Sequence, residues 1–207
     1  MSNCLLGVVR VDFTTLDCFA FFTSYLSEDI QDIQARCAAS IPALRSHPLA
    51  LLPIVLEHRF LRWTHWYASL WRDIVEVETS NDMTHPHWRA HFITDERSRY
   101  LSDADNVLRQ LHATHLELCH SHTVMSFALR FSDFCLEALR RVEDGRVGLG
   151  LPRMRPREMV VLEQGIKGIT VRFRAMGDRL NELTARLNGQ INVVSYAIGD
   201  VRRIILT

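Results

Sequence analysis

Glycine and proline are scarce in this chain, at 9 and 6 residues of 207. That excludes collagen-like and low-complexity character. Lysine is almost missing, since Lys167 is the only one among 24 basic residues. Net charge is missing too, because 24 Lys and Arg balance 24 Asp and Glu. A whole-surface nucleic-acid binder is therefore not expected. No long apolar run occurs. The longest uncharged stretch, Leu187 to Gly199, falls short of the roughly 18 residues that a membrane span needs. No charged n-region and apolar core open the chain, so no signal peptide is expected. Cys4, Cys18, Cys37, Cys119 and Cys135 are odd in number and form no C-x-x-C pair. They read as reduced thiols of an intracellular protein rather than a disulfide framework.

What is present suits a folded domain. Hydrophobic residues make up 47% and charged residues 23%, which excludes general disorder. The zero net charge conceals a gradient. Residues 1–52 carry 3 basic and 5 acidic groups, residues 53–152 carry 11 and 14, and residues 153–207 carry 10 and 5. The C-terminal basic excess fits a solvated helix face, or a segment close to anionic lipid.

Hydrophobic spacing predicts helices. Cys4 to Phe13 is β-branched and apolar and reads as a strand or extended lead-in, without an evident partner strand. Ser27 is placed to cap a short helix through Ile30, Ile33 and Cys37. Ile41-Pro42 and His47-Pro48 interrupt the chain. Leu56, Phe60, Trp63, Tyr67, Leu70, Ile74 and Val77 keep a 4-3 spacing on a helix over about 49–79. His85-Pro86-His87 marks a loop. A third helix is expected after Ser102, to about Val142. Its stripe is Leu108, Leu111, His115, Leu118, His122, Met125, Leu129, Ser132, Leu136 and Leu139. Gly145, Gly148, Gly150, Pro152 and Pro156 then read as a loop. The last stripe runs from Met159 through Leu162, Ile166, Ile169, Phe173 and Met176 to Ile204 in steps of three and four. That predicts one coiled-coil-like helix roughly 70 Å long.

The expected fold class is all-α, an antiparallel bundle of long helices ending in this very long helix. Residues 1–47 form the lead-in and 48–207 the bundle, in a single domain. Leu180, Leu183, Leu187, Val194 and Val201 are the expected oligomer seam, which predicts a homo-oligomer through the C-terminal helix.

Catalytic signatures are lacking: there is no G-x-S-x-G elbow and no H-E-x-x-H pair, and Gly148-Leu-Gly150 lacks the Lys-Ser/Thr of a phosphate loop. An enzyme is not expected. His115, Cys119 and His122 lie within two turns of one helical face, and zinc accepts neutral imidazole and thiolate. Core or interhelix packing is the plainer reading of these three. The same holds for His85, His87 and His91, and for the aromatic stripe at Phe60, Trp63, Trp66, Tyr67 and Trp71.

Two segments carry a resemblance to a family. His47-Pro-Leu-Ala-Leu-Leu-Pro-Ile-Val-Leu-Glu57 opens one long helix. Arg172-Phe-Arg-Ala-Met-Gly-Asp-Arg-Leu-Asn-Glu-Leu-Thr-Ala-Arg-Leu-Asn-Gly-Gln-Ile-Asn-Val-Val194 lies in the last. Over residues 45–207 the chain resembles the cytosolic helical part of fungal proteins similar to CorA-type magnesium transporters. The resemblance implies a membrane-associated cytoplasmic domain that regulates or oligomerises a metal-ion transporter and is not itself a pore. It implies Mg2+ as the ion and acidic residues as its sensors. By position on the long helix the candidates are Asp178, Glu182 and Asp200, and no one acid aligns to the family's site. It also implies a membrane continuation after Thr207, where Arg202-Arg203 precedes an apolar start. The family's Gly-Met-Asn pore signature does not occur here. The alternative is a soluble α-helical protein–protein interaction module with no transport role. The expected location is cytoplasmic, or the cytoplasmic face of a membrane if the chain belongs to a transporter.

Overall fold

Residues 5–12, 15, 17–80 and 104–205 are described by the structure, a computed structural model. Strands β1 (Leu5–Val11) and β2 (Cys18–Ser24) come first. Helices α1 (Ser27–Ala39) and α2 (Ile41–Ser46) follow, then a single 3-10 turn over Pro48–Ala50. Three long helices complete the described residues: α3 (Leu51–Ser80), α4 (Ala104–Gly148) and α5 (Pro156–Ile205). The protein is thus mostly helical with a long C-terminal helix, as the spacing predicts.

Three expectations need correction. The N-terminal strand has a partner. β1 and β2 pair antiparallel, with Val8 opposite Phe21 and Gly7 opposite Phe22. A Cβ at Gly7 would stand 2.5 Å from the Phe22 ring, so any larger residue there would have to displace that ring. Ser27 does not cap α1; it is the first helical residue, and no side-chain cap bond forms. Ser24 does the local work instead, its Oγ accepting from the Leu26 N–H at 3.2 Å and donating to Asp29 Oδ2 at 2.8 Å. Gly145 and Gly148 belong to α4, not to the loop. The helix stops where Gly150 takes φ +72°, a left-handed conformation open to glycine. There Leu151 N–H bonds to Arg146 O (2.9 Å) and Gly150 N–H to Val147 O (3.0 Å), the paired bonds of a Schellman terminus.

The chain divides into two compact units. One comprises residues 1–62 and 127–174, the other 63–126 and 175–207. In the first, Leu49, Ala50, Leu139, Met154 and Leu162 make a buried cluster, with Leu44, Val142 and Met159 packed against it. Phe173 is fully buried in this unit, with Phe60 edge-on to it at 5.5 Å between ring centroids. In the second unit the core is built from Leu70, Ile74 and Val77 of α3, Leu111, Leu118 and Met125 of α4, and Met176, Leu180, Leu183, Leu187 and Val194 of α5.

The register of α5 is the expected one, since every stripe residue from Leu162 to Val194 is buried. The register of α4 differs. Leu111, Leu118, Met125, Ser132 and Leu139 are buried, but the intervening buried positions are Thr114, Ser121, Ala128 and Cys135. His115, His122, Leu129 and Leu136 sit half-buried beside them. The buried line of α4 therefore mixes large side chains with small ones, the small ones running together at Ala128, Ser132 and Cys135, and small ones let helices approach closely.

Candidate functional site

Asp178 and Glu182 stand one turn apart on α5, both exposed. The side chains of Asp200 and Val201 lie outside the described residues, as do His85, His87 and His91. On α4, Cys119 is exposed while His115 and His122 are half-buried. His122 is already engaged, with Nε2 3.0 Å from Thr184 Oγ1. That hydroxyl donates its hydrogen to Leu180 O at 2.8 Å. It must therefore accept from His122 Nε2–H, which leaves only Nδ1 as a lone-pair site. Among the described residues no group of three or more His, Cys, Asp or Glu side chains is gathered so as to hold a metal.

Leu180, Leu183, Leu187 and Val194 are buried within the chain itself. Along its described length the expected seam is covered by side chains of the same molecule. The aromatic stripe at Phe60, Trp63, Trp66, Tyr67 and Trp71 is half-buried throughout. Trp63, Trp66 and Tyr67 border a gap of about 10 Å³, room for one water at most.

Sequence reasoning misses three buried polar sites. Asp29 is fully buried, with His58 Nε2 at 3.3 Å and Arg62 Nε at 3.2 Å from Oδ1, and Ser24 Oγ and Arg59 Nη1 at 2.8 and 3.9 Å from Oδ2. Burial lowers the His58 pKa; the Asp29 charge opposes that shift and Arg59 adds to it. Ser, Asp and His meet here in the wrong order for nucleophilic catalysis. The serine hydroxyl donates to the carboxylate, so no imidazole stands ready to take its proton. The chemistry is that of a neutralised anchor, tying the N-terminal end of α1 to the first turns of α3. The one sequence signal is His58, which lies among the buried residues Val55 and Leu56.

The second site joins α4 to the turn before α3. Glu143 Oε1 accepts from Arg146 Nη1 at 2.7 Å and its Oε2 from the Met154 N–H at 2.9 Å. Arg146 Nη2 also donates to Pro152 O at 2.8 Å. His47, wholly buried, lies 3.6 Å from Glu143 by its Nε2, and its Nδ1 accepts from the Leu49 N–H at 3.0 Å. The accepting Nδ1 carries no proton, so Nε2 carries it and faces the carboxylate. Burial is the main cause that lowers the His47 pKa, against the Glu143 charge. In the second unit, Arg186 grips Glu78 with two bonds, Nε to Oε1 at 2.9 Å and Nη2 to Oε2 at 2.5 Å.

Two surface features remain. An apolar cleft of about 340 Å³ opens between β2 and α1, lined by Ala20, Phe22, Ile30, Ile33, Cys37 and Leu51 among others. Elsewhere in the same unit, Arg172 of α5 donates to Glu57 Oε1 of α3 at 3.1 Å and lies 4.9 Å over the Phe60 ring. Comparison with protein-family models, with curated proteins and with solved structures finds no match. Among the described residues, no helix is long and apolar enough to cross a membrane.

Proposed function

We propose that this chain is a helical regulatory or oligomerising domain similar to the cytosolic part of CorA-like magnesium transporters, and not itself a pore. The observation that carries the reading is the meeting of the two segments on which the resemblance rests. Glu57, which closes the first, pairs with Arg172, which opens the second, at 3.1 Å. An exposed pair of this kind contributes little energy; its value here is that it brings the two segments together. The long helix α5 suits a part that passes a displacement along its axis to a pore helix. In this reading the helices form an antiparallel bundle on the cytoplasmic face of a membrane.

Asp178 and Glu182, with Asp200, are the carboxylates offered to Mg2+. Magnesium keeps several waters and takes one or two carboxylates, so an exposed pair one turn apart suits it better than a closed cage. At about ten times the dissociation constant, a ligand of the folded state adds roughly 1.4 kcal/mol. For a chain of this size that raises Tm by about 3–6 °C. The expected result is such a rise between 0 and 20 mM MgCl2, lost in the double variant Asp178→Asn, Glu182→Gln. An unchanged Tm throughout would remove the sensing role.

A second reading, a soluble helical interaction module with no transport role, is favoured by the exposed apolar residues of the hairpin. Sequencing the native transcript past the codon for Thr207 separates the two. Two apolar spans with Gly-Met-Asn between them would support the transporter; a stop codon would support the module.

A further inference from the structure

The outer face of the hairpin is unlike the rest of the surface. Leu6 and Val8 of β1 share it with Phe19 and Phe21 of β2, and Tyr25 follows just past the strand. These five are 61% (Leu6) to 86% (Tyr25) exposed. Aromatic side chains offer roughly 150–250 Å² each. With the two aliphatic ones the face approaches ~800 Å², the share one partner gives to an interface of standard size. It exceeds the roughly 300–600 Å² of the largest apolar patch on a typical monomer.

We infer that this face is where a second copy of the chain docks, the two hairpins stacking face to face about a two-fold axis. Area is the first argument. The second is that α1 lies against only one face of the two-stranded hairpin, and a second sheet about 10 Å away would cover the other. The third is charge. Arg10 is the one charged residue in the two strands. A two-fold axis across the strands, near the Val8–Phe21 pair, carries Arg10 of each copy away from its mate and toward Tyr25 of the other. Like charges then separate and a cation meets a ring. A lipid surface fits less well: residues 1–52 hold 3 basic and 5 acidic groups, whereas interfacial lipid binders gather Lys and Arg. The inference does not depend on the transporter reading.

Sedimentation velocity of the whole chain in magnesium-free buffer, over about 1–100 μM, tests it. A reversible dimer is expected. Phe19→Glu and Val8→Glu, made separately, should each raise the dissociation constant at least tenfold. Leu116→Glu, at an exposed apolar position on α4, should leave it unchanged. Circular dichroism melts should show the variants folded, since these side chains are exposed in the single chain. If either glutamate variant fails to fold, Phe19→Ser and Val8→Thr should show the same weakening. A wild-type monomer at 100 μM would overturn the inference. So would a dimer indifferent to the hairpin variants, or one weakened equally by Leu116→Glu. Flotation of the monomer with phosphatidylcholine–phosphatidylserine vesicles, abolished by Phe19→Glu, would reassign the face to lipid.

Discussion

His47 and His58 are buried, and burial holds both in the neutral form, below the ordinary imidazole value of 6.5. A base whose folded pKa is depressed binds fewer protons folded than unfolded once the pH falls below 6.5. Stability should therefore be level above about pH 7 and decline as the pH drops through 6.5. Melting temperatures at pH 7.5 and 5.5 measure this, and His47→Asn, which retains an acceptor for the Leu49 N–H, should flatten the slope. A slope of opposite sign would refute the assignment. Cys135 is governed by the same desolvation, its thiol pushed up to about 12. The thiolate is the reactive form. Native protein at pH 8 should leave Cys135 unmodified by iodoacetamide while the exposed Cys119 reacts, as peptide mass spectrometry would show. Modification of both at equal rates would contradict the packing of α4.

Among the elements, α5 depends most on packing. Leu183→Asp places a carboxylate among Leu180, Leu187 and the α4 and α3 residues of its unit, and should cost several kcal/mol. A melting temperature within a degree of wild type would refute the buried stripe. The glycines give a paired expectation. Gly168 has nothing within 4 Å of where a Cβ would stand, so Gly168→Ala should stabilise α5 by about 0.5–1 kcal/mol. Gly150 has open space too but a φ of +72°, so Gly150→Ala should destabilise. Urea midpoints of the two variants on opposite sides of wild type would agree with both.

The legibility of these elements follows from the kind of signal each leaves. The α5 stripe was readable from Leu162 to Val194 because apolar side chains fill nearly every inward position. On α4 the inward positions include Thr114, Ser121, Ala128 and Cys135, chosen for small size, and hydropathy passes over size. The partner of β1 was missed because Cys18–Ser24 follows a six-residue connection, Asp12 to Asp17, with no Asn-Gly or Asp-Gly turn to mark it. The Asp29 and Glu143 sites were missed for another reason. A charged residue in a sequence reads as surface, and only the fold reveals that its partners, thirty or ninety-six residues away, have come inside with it.

On the whole-molecule scale, charge and apolar exposure act together. The isoelectric point is about 7.2 and the net charge zero. Little long-range repulsion is left near neutrality to keep apolar faces apart. Solubility should pass through a minimum near pH 7 and rise toward pH 9. Turbidity against pH for wild type and for Phe19→Glu checks this, the variant having the shallower minimum. Equal turbidity at all pH values would mean that net charge does not govern association.

Each compact unit is assembled from two separate stretches, 1–62 with 127–174 and 63–126 with 175–207. The polypeptide changes unit inside α3, α4 and α5, never in a loop. No single truncation yields either unit whole: stopping after Arg174 leaves the second without its share of α5, and starting at Trp63 strips the first of its hairpin, α1 and α2. A gene segment encoding one unit cannot be lifted out and transplanted as a cassette. Recombination and deletion would therefore inherit this protein entire, or break it.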